Sequence, residues 1–307
     1  MSPLYPMKFL DFLHRKNRQI DRMDERLRRL EQSVDLMRQA LGRIESHQSR
    51  AGASMDPREH ELQVYSQWGE DGIIDHLTRH VRVPRRFFVE FGVETYQEAN
   101  TRFLLTNAAW EGLILDGSEQ DVARIRRDPI VWRHHLTVAH AFITRENINR
   151  ILREYGAVGP IGLLSIDVDG NDYWIWEAID VAQPAIVVIE YNAIFGPDRA
   201  VTVPYEPEFH REKTHYSHLY FGASLSALVR LGQRKGYAFV GTNRAGNNAF
   251  FVQRDLLPPG MRELTLAEGF TAAQFREARK PDGSLALLSA AEGAALIAGL
   301  PLVEIPA

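Results

Sequence analysis

Five short apolar runs, spaced by stretches of helix-forming residues, set the strongest limit on what this chain can fold into. They are residues 86–93 (RFFVEFGV), 112–117 (GLILDG), 135–143 (HLTVAHAFI), 161–168 (IGLLSIDV) and 184–191 (PAIVVIEY). Each is nearly continuous rather than alternating, the pattern of a strand covered on both faces. Residues 98–107, 119–127, 145–155 and 172–180 between them read as helices. Strand and helix therefore alternate, which predicts a parallel sheet with helices packed on it. A further helix, 225–236, leads into 237–253, where two apolar runs flank Asn, Gly and Arg and read as an antiparallel hairpin.

The first fifty residues follow another rule. Ile20, Met23, Leu27, Leu30, Val34, Met37, Leu41 and Ile44 are separated by alternating steps of three and four. This is an a/d heptad, extended back by Leu13 with Lys16 as a polar d position. It predicts a coiled coil over residues 1–50 and a homo-oligomer. The alternative is one amphipathic helix packed on the domain, whose apolar stripe would be wider. The stretch 26–31 (RLRRLE) sets Arg26 at g and Glu31 at the next e, flanking Leu27 and Leu30. It is similar to an Arg-apolar-x-x-apolar-Glu pattern common in trimers, so a trimer is favoured over a dimer. Residues 51–61 read as a linker, 62–255 as the main domain, and 256–307 as an extension packed on it, with no function assigned.

Composition excludes several classes. There is no cysteine, so disulfides, zinc-thiolate sites and cysteine nucleophiles are ruled out. A net charge of -4 gives no reason to expect a nucleic-acid partner. No apolar stretch is long enough to span a bilayer, and the first residues lack a signal-peptide core. The expectation is a cytoplasmic protein, peripheral to the inner membrane only through partners.

Acidic residues stand where the runs end. Glu90 and Gly92 close the first, and Asp116 closes the second. Acids at these places hold the hydroxyls of a bound nucleoside, while a glycine admits a ligand to the backbone. The other glycines of a dinucleotide cradle are missing: Thr95 and Tyr96 follow instead. A nucleoside ligand without pyrophosphate, such as S-adenosylmethionine, fits that pattern. The alternative is a set of strand-end acids that cap helices.

Six segments in order then carry a resemblance: YSQWGEDGIIDHL (65–77), FVEFGVETYQEANTRFLL (88–105), WEGLILDGS (110–118), LSIDVDGNDY (164–173), VIEYNAIFG (188–196) and YFGASLSALVRLGQRKGY (220–237). Together they resemble the FkbM-type class I methyltransferases, in a branch associated with bacterial glycan and polysaccharide modification. The resemblance spans residues 64–253. It implies an α/β, Rossmann-like seven-stranded sheet, mostly parallel with the last strand antiparallel. It also implies a sugar acceptor and S-adenosylmethionine. By position, Glu90, Gly92, Asp116 and Ser118 would contact this cofactor. Gln67, Gly69, Glu70 and Asp71 would line its pocket, with Asn100 and Arg102 nearby. A polysaccharide-assembly enzyme is an expected partner.

The fourth run ends in Asp167 and Asp169, with Gly170 for the turn and Asp172 placed to cap the next helix. The fifth ends in Glu190 and Asn192. Asp167, Glu190 and Asn192 form an oxygen set that suits Mg²⁺, or Mn²⁺ with a histidine. The arrangement resembles that of metal-dependent sugar O-methyltransferases of the macrocin type. The alternative is a group that orients a sugar by hydrogen bonds without a metal. Asp169 is the expected base and His215 the second candidate, from a loop that also carries His210 and His218. His134, His135 and His140 belong with the third run. Two rival functions remain open at this stage. One is a glycosyltransferase using Asp-x-Asp, and the other is a non-catalytic assembly protein.

Overall fold

The computed structural model describes residues 5–52 and 54–307, with side chains from residue 16 onward, so the Leu13 side chain lies outside the described part. The main sheet has seven strands. β1 (Phe87–Phe91), β2 (Glu111–Asp116), β3 (Leu136–His140), β4 (Gly159–Ile166) and β5 (Ala182–Glu190) run parallel. A two-residue strand, β6 (Val201–Thr202), lies outside this sheet. β7 (Tyr237–Thr242) and β8 (Asn248–Gln253) form the expected hairpin, and β8 inserts antiparallel between β5 and β7. The order β3-β2-β1-β4-β5-β8-β7 is that of the class I methyltransferase fold.

The continuous apolar runs do bury both faces. Val89, Phe91, Leu113 and Leu115 point to one side, under α6 (Ile148–Glu154), α7 (Asp172–Ala178) and α9 (Leu225–Arg234). Phe88, Ile114 and Leu163 point to the other, under α2 (Glu70–His80), α3 (Arg102–Ala108), α4 (Glu119–Ile125) and α5 (Ile130–Arg133). The chain reverses its direction of travel between β1 and β4, which opens a crevice at their carboxyl ends.

The N-terminal helix α1 (Tyr5–Ser49) has two unlike faces. Its eight heptad residues are 48–65% exposed. The last third touches the domain through a different, polar and small-residue stripe. Asp35 accepts from the Tyr65 hydroxyl, Gly42 lies against Val64 and Phe103, and Ser46 donates to Asp75 (2.7 Å). The helix therefore does not lay its apolar face on its own domain.

Two segments differ from expectation. Residues 51–61 are no free linker. Asp56 accepts from the Arg58 amide at 3.0 Å, Pro57 and His60 are buried, and His60 stacks on His76 with ring centres 3.8 Å apart. The extension 256–307 reaches further than its composition suggested. α10 (Leu266–Gly269) packs on β7, α11 (Ala290–Ile297) follows, and β9 (Val303–Glu304) pairs with β6. Between these two helices the chain passes over the carboxyl edge of the main sheet. Among the described residues, no helix is long and apolar enough to cross a membrane.

Candidate active site

A cavity of about 950 Å³ opens at the carboxyl ends of β1, β2, β4 and β5. One wall gathers Gln67, Glu90, Gly92, Asn100, Asp116 and Ser118. Asp116 ends β2, and its two oxygens accept from the amides of Glu94 and Ser118, each at 2.7 Å. Ser118 also caps α4 through the Asp121 amide (3.2 Å). Glu90 accepts from the Asn100 amide (2.8 Å), the Thr101 amide (3.2 Å) and the Thr101 hydroxyl. Burial still pushes its carboxyl up to about 7. Gly92 is set by the chain itself: φ is +68°, and a Cβ there would lie 1.7 Å from the Asp167 carbonyl oxygen.

Four other residues expected at this pocket serve its framework instead. Asp71 is buried and takes the amides of Val64, Tyr65 and Ser66 and the Ser66 hydroxyl, all within 2.6–2.8 Å. Glu70 holds Trp68, Asn243 and Asn248. Arg102 donates to the Tyr96 carbonyl and lies over the Tyr65 ring. Gly69, at φ +103°, makes the turn into α2. None of the four lines the cavity. Short polar side chains next to a turn bond the nearest backbone, and the SQWGED segment does so almost completely.

The opposite wall carries Asp167, Asp169 and Glu190, whose nearest ligand oxygens lie within 4.8 Å of one another. Glu190 is buried, and its Oε2 has no hydrogen-bond partner. Burial, and then the charge of Asp167, holds the Glu190 carboxyl well above the carboxylate range. Asp167 is raised likewise, by burial and then by Asp169 and Asp172. A buried carboxylate oxygen without a donor, grouped with two further carboxylates, is an oxygen set of the kind divalent cations take. The residues fit a divalent ion.

Asn192 is not in this group. Its amide nitrogen donates to the carbonyls of Leu219 (2.9 Å) and Phe221 (3.1 Å), and its oxygen caps a 3₁₀ turn at Ile194 (3.1 Å). β5 ends at Glu190, so the two-residue alternation that would align Asn192 with Glu190 is lost. Asp169 takes its place in the triad, held at φ +53°. Asp172 caps no helix. It is the first residue of α7, and it accepts from the amides of Val168 (2.9 Å) and Gly170 (3.0 Å), tying the strand-end turn.

His215 is also displaced. Its Nδ1 meets the Ser217 hydroxyl at 2.7 Å, and the ring does not line the cavity, whereas His210 and His218 do. His218 sits at φ +58°, a backbone state costly for a residue with a side chain. Arg211 escaped the sequence reading. This residue of α8 (Arg211–Thr214) is 3.5 Å from Asp169, pairs with Glu277, donates to the His218 carbonyl (2.7 Å), and lies 3.6 Å over the Phe221 ring. It is the cation nearest the triad. The only hint was its position inside the histidine-bearing loop. The extension supplies Phe275, Glu277 and Arg279 to the same cavity, and nothing in the sequence pattern marked them.

No family model and no curated protein matches the chain. Several solved structures resemble it distantly. The N-terminal domain of EvdMO1 with SAH bound is 12% identical, with a TM-score of 0.41 over 61% of this chain and 80% of that one. The same domain in the presence of SAH and D-fucose is 11% identical, with a TM-score of 0.39 over 66% and 82%. An S-adenosylmethionine-dependent methyltransferase from Clostridium acetobutylicum is 9% identical, with a TM-score of 0.39 over 61% and 91%. The fold assignment itself rests on strand order: a seven-stranded sheet of the class I methyltransferase type, with its acidic residues gathered at one carboxyl-edge cavity.

Proposed function

We propose that the protein is an S-adenosylmethionine-dependent O-methyltransferase acting on a sugar hydroxyl of a bacterial glycan or polysaccharide, assisted by Mg²⁺ or Mn²⁺. The observation that carries this is the facing of two acidic walls across one cavity on this fold. Asp116 and Glu90 would hold the nucleoside side, with Gln67, Asn100 and Ser118 completing that wall. Asp167, Asp169 and Glu190 would hold the cation. When bound, the sulfonium cofactor supplies an electrophilic methyl and the cation lowers the pKa of the acceptor hydroxyl.

This chain's residues then have three tasks. The two walls fix the donor carbon and acceptor oxygen in line, so that one C–S bond breaks as one C–O bond forms. His218 takes the hydroxyl proton, the role expected first of Asp169 and second of His215, with Asp169 kept as the carboxylate alternative. Arg211 offsets part of the triad's charge while the cation is absent.

The exposed heptad of α1 supports a homo-oligomer through a coiled coil, with a trimer favoured over a dimer. In that form the protein would work in the cytoplasm beside a polysaccharide-assembly enzyme. Thermal unfolding with S-adenosylmethionine, with nucleotide-sugars, and with each plus Mg²⁺ tests the enzyme reading. Stabilisation by S-adenosylmethionine supports it; stabilisation by a nucleotide-sugar with Mn²⁺ alone replaces it with a glycosyltransferase. Light scattering of the full chain tests the oligomer, and a monomer removes it.

A further inference from the structure

The segment between α10 and α11 contains a small hairpin with little reason to fold for its own sake. Arg279 and Leu285 bridge across it, the Ala286 amide donates to Ala278 (2.8 Å), and the Lys280 amide donates to Ser284 (2.8 Å). Asp282 accepts from the Ser284 amide at 2.9 Å, and Gly283 makes the turn at φ +82°. Within residues 278–286 only Ala278 is fully buried. The hairpin is thus held by backbone hydrogen bonds rather than apolar area. It is pinned to the histidine loop, where the Arg279 amide donates to the Ser217 carbonyl (3.1 Å). The result is that Arg279 faces the cavity.

Among the described residues, Arg279 is half-buried as a residue, and its guanidinium has neither a hydrogen bond nor an ion pair. The contrast with Arg211 is direct. Arg211 lines the same cavity and is satisfied by Glu277, Asp169 and a carbonyl. Lys213 of α8 also lines the cavity without a partner. An unpaired guanidinium at a cavity wall is free to take a ligand, and its planar fork matches a carboxylate or phosphate.

We infer that the acceptor carries an anionic group, a carboxylate or a phosphate ester, and that Arg279 with Lys213 binds it where α8 and the extension line the cavity. The inference rests on the methyl-transfer reading for the word acceptor, but the anion site itself does not. A second anchor besides the triad would fix the sugar's orientation, which decides which hydroxyl meets the triad. The extension is then an acceptor-recognition element rather than a structural tail.

The test is calorimetric titration of the full chain in metal-free, chelated buffer with three probes: glucose, glucuronate and glucose 1-phosphate. Both charged sugars, or one of them, are expected to bind about tenfold more tightly than glucose, the worth of one hydrogen-bonded charge. Arg279→Gln should bring the charged sugar to the level of glucose, and Arg279→Lys should fall between. Lys280→Gln, on the same hairpin but outside the cavity, should change nothing. The favoured probe says whether the anion is a carboxylate or a phosphate. Equal binding of all three, no binding of either charged sugar, or an unchanged affinity in a folded Arg279→Gln protein overturns the inference. Binding of S-adenosylhomocysteine is measured separately. Its failure would remove the methyltransferase reading and leave the anion result standing.

Discussion

The two walls of the cavity are both acidic, yet they are built in opposite ways. On the nucleoside side Glu90 accepts three hydrogen bonds and Asp116 two from backbone amides, and behind that wall one oxygen of Asp71 accepts four. On the triad side Glu190 Oε2 has none, and the charges crowd one another. The first wall is finished by the protein alone. The second needs a counter-ion, which Arg211 supplies only in part. Carboxylates with amide donors stabilise a fold, whereas carboxylates grouped without them store repulsion that a ligand can relieve.

The largest effect should come from the framework behind the first wall. Asp71→Ala leaves three buried amides without their acceptor and should cost about 3–5 kcal/mol in urea unfolding. A loss under ~1 kcal/mol would mean that the wall tolerates gaps and that the contrast is false. The other wall should respond with the opposite sign. In chelated buffer at pH 8, Glu190→Gln should raise stability by about 1–2 kcal/mol, the worth of roughly one pKa unit of relieved repulsion. The same change should abolish the thermal shift produced by Mn²⁺ in the parent chain.

The pH profile follows from the same carboxyls. Glu90, held up to about 7, and Asp167 and Glu190, held higher than usual, keep protons that the unfolded chain releases near pH 4.5. The folded state therefore binds more protons, and metal-free stability should fall as pH rises from about 4.5 through 7. Saturating Mg²⁺ should flatten the upper part of that slope. A metal-free profile that climbs instead would contradict the crowding.

A smaller effect belongs to the α1 junction. Burial, and then the charges of His60, His80 and Arg79, pushes the His76 ring down to about 3. The unfolded chain thus binds the extra proton, and stability is complete above the ordinary histidine range and lost as pH falls below 6.5 toward 3. His76→Phe should remove that acid-side loss, as read by thermal melts at pH 5 and 7.

Much of the fold was legible because continuous apolar runs leave few options. RFFVEFGV and PAIVVIEY could only be strands covered on both sides, and strand order then follows from alternation with helices. The acids at strand ends were legible for the same reason, since a strand's last residues face the carboxyl edge. What failed was the direction of side chains in the turns that follow a strand. Asn192 and Asp172 turned back to bond their own turns, and which way a turn curls depends on contacts far along the chain. The SQWGED acids failed similarly, because a buried amide cluster and a ligand pocket ask for the same residue types. Arg211, Glu277 and Arg279 were invisible because their loops have no period. Arg279 is fixed there through the Ser217 carbonyl and Arg211 through that of His218, contacts that sequence spacing does not encode.

The close approach at Gly92 has one more consequence. With no room for even a methyl group between its α-carbon and the Asp167 carbonyl, the ends of β1 and β4 meet as two solid parts of one joint. If the proposed cation binds and draws Asp167 toward itself, it must carry the Gly92 loop along. On that reading the nucleoside and the metal ion would be reciprocal effectors. Each should tighten or weaken the other by the same factor, although no atom of one need touch the other.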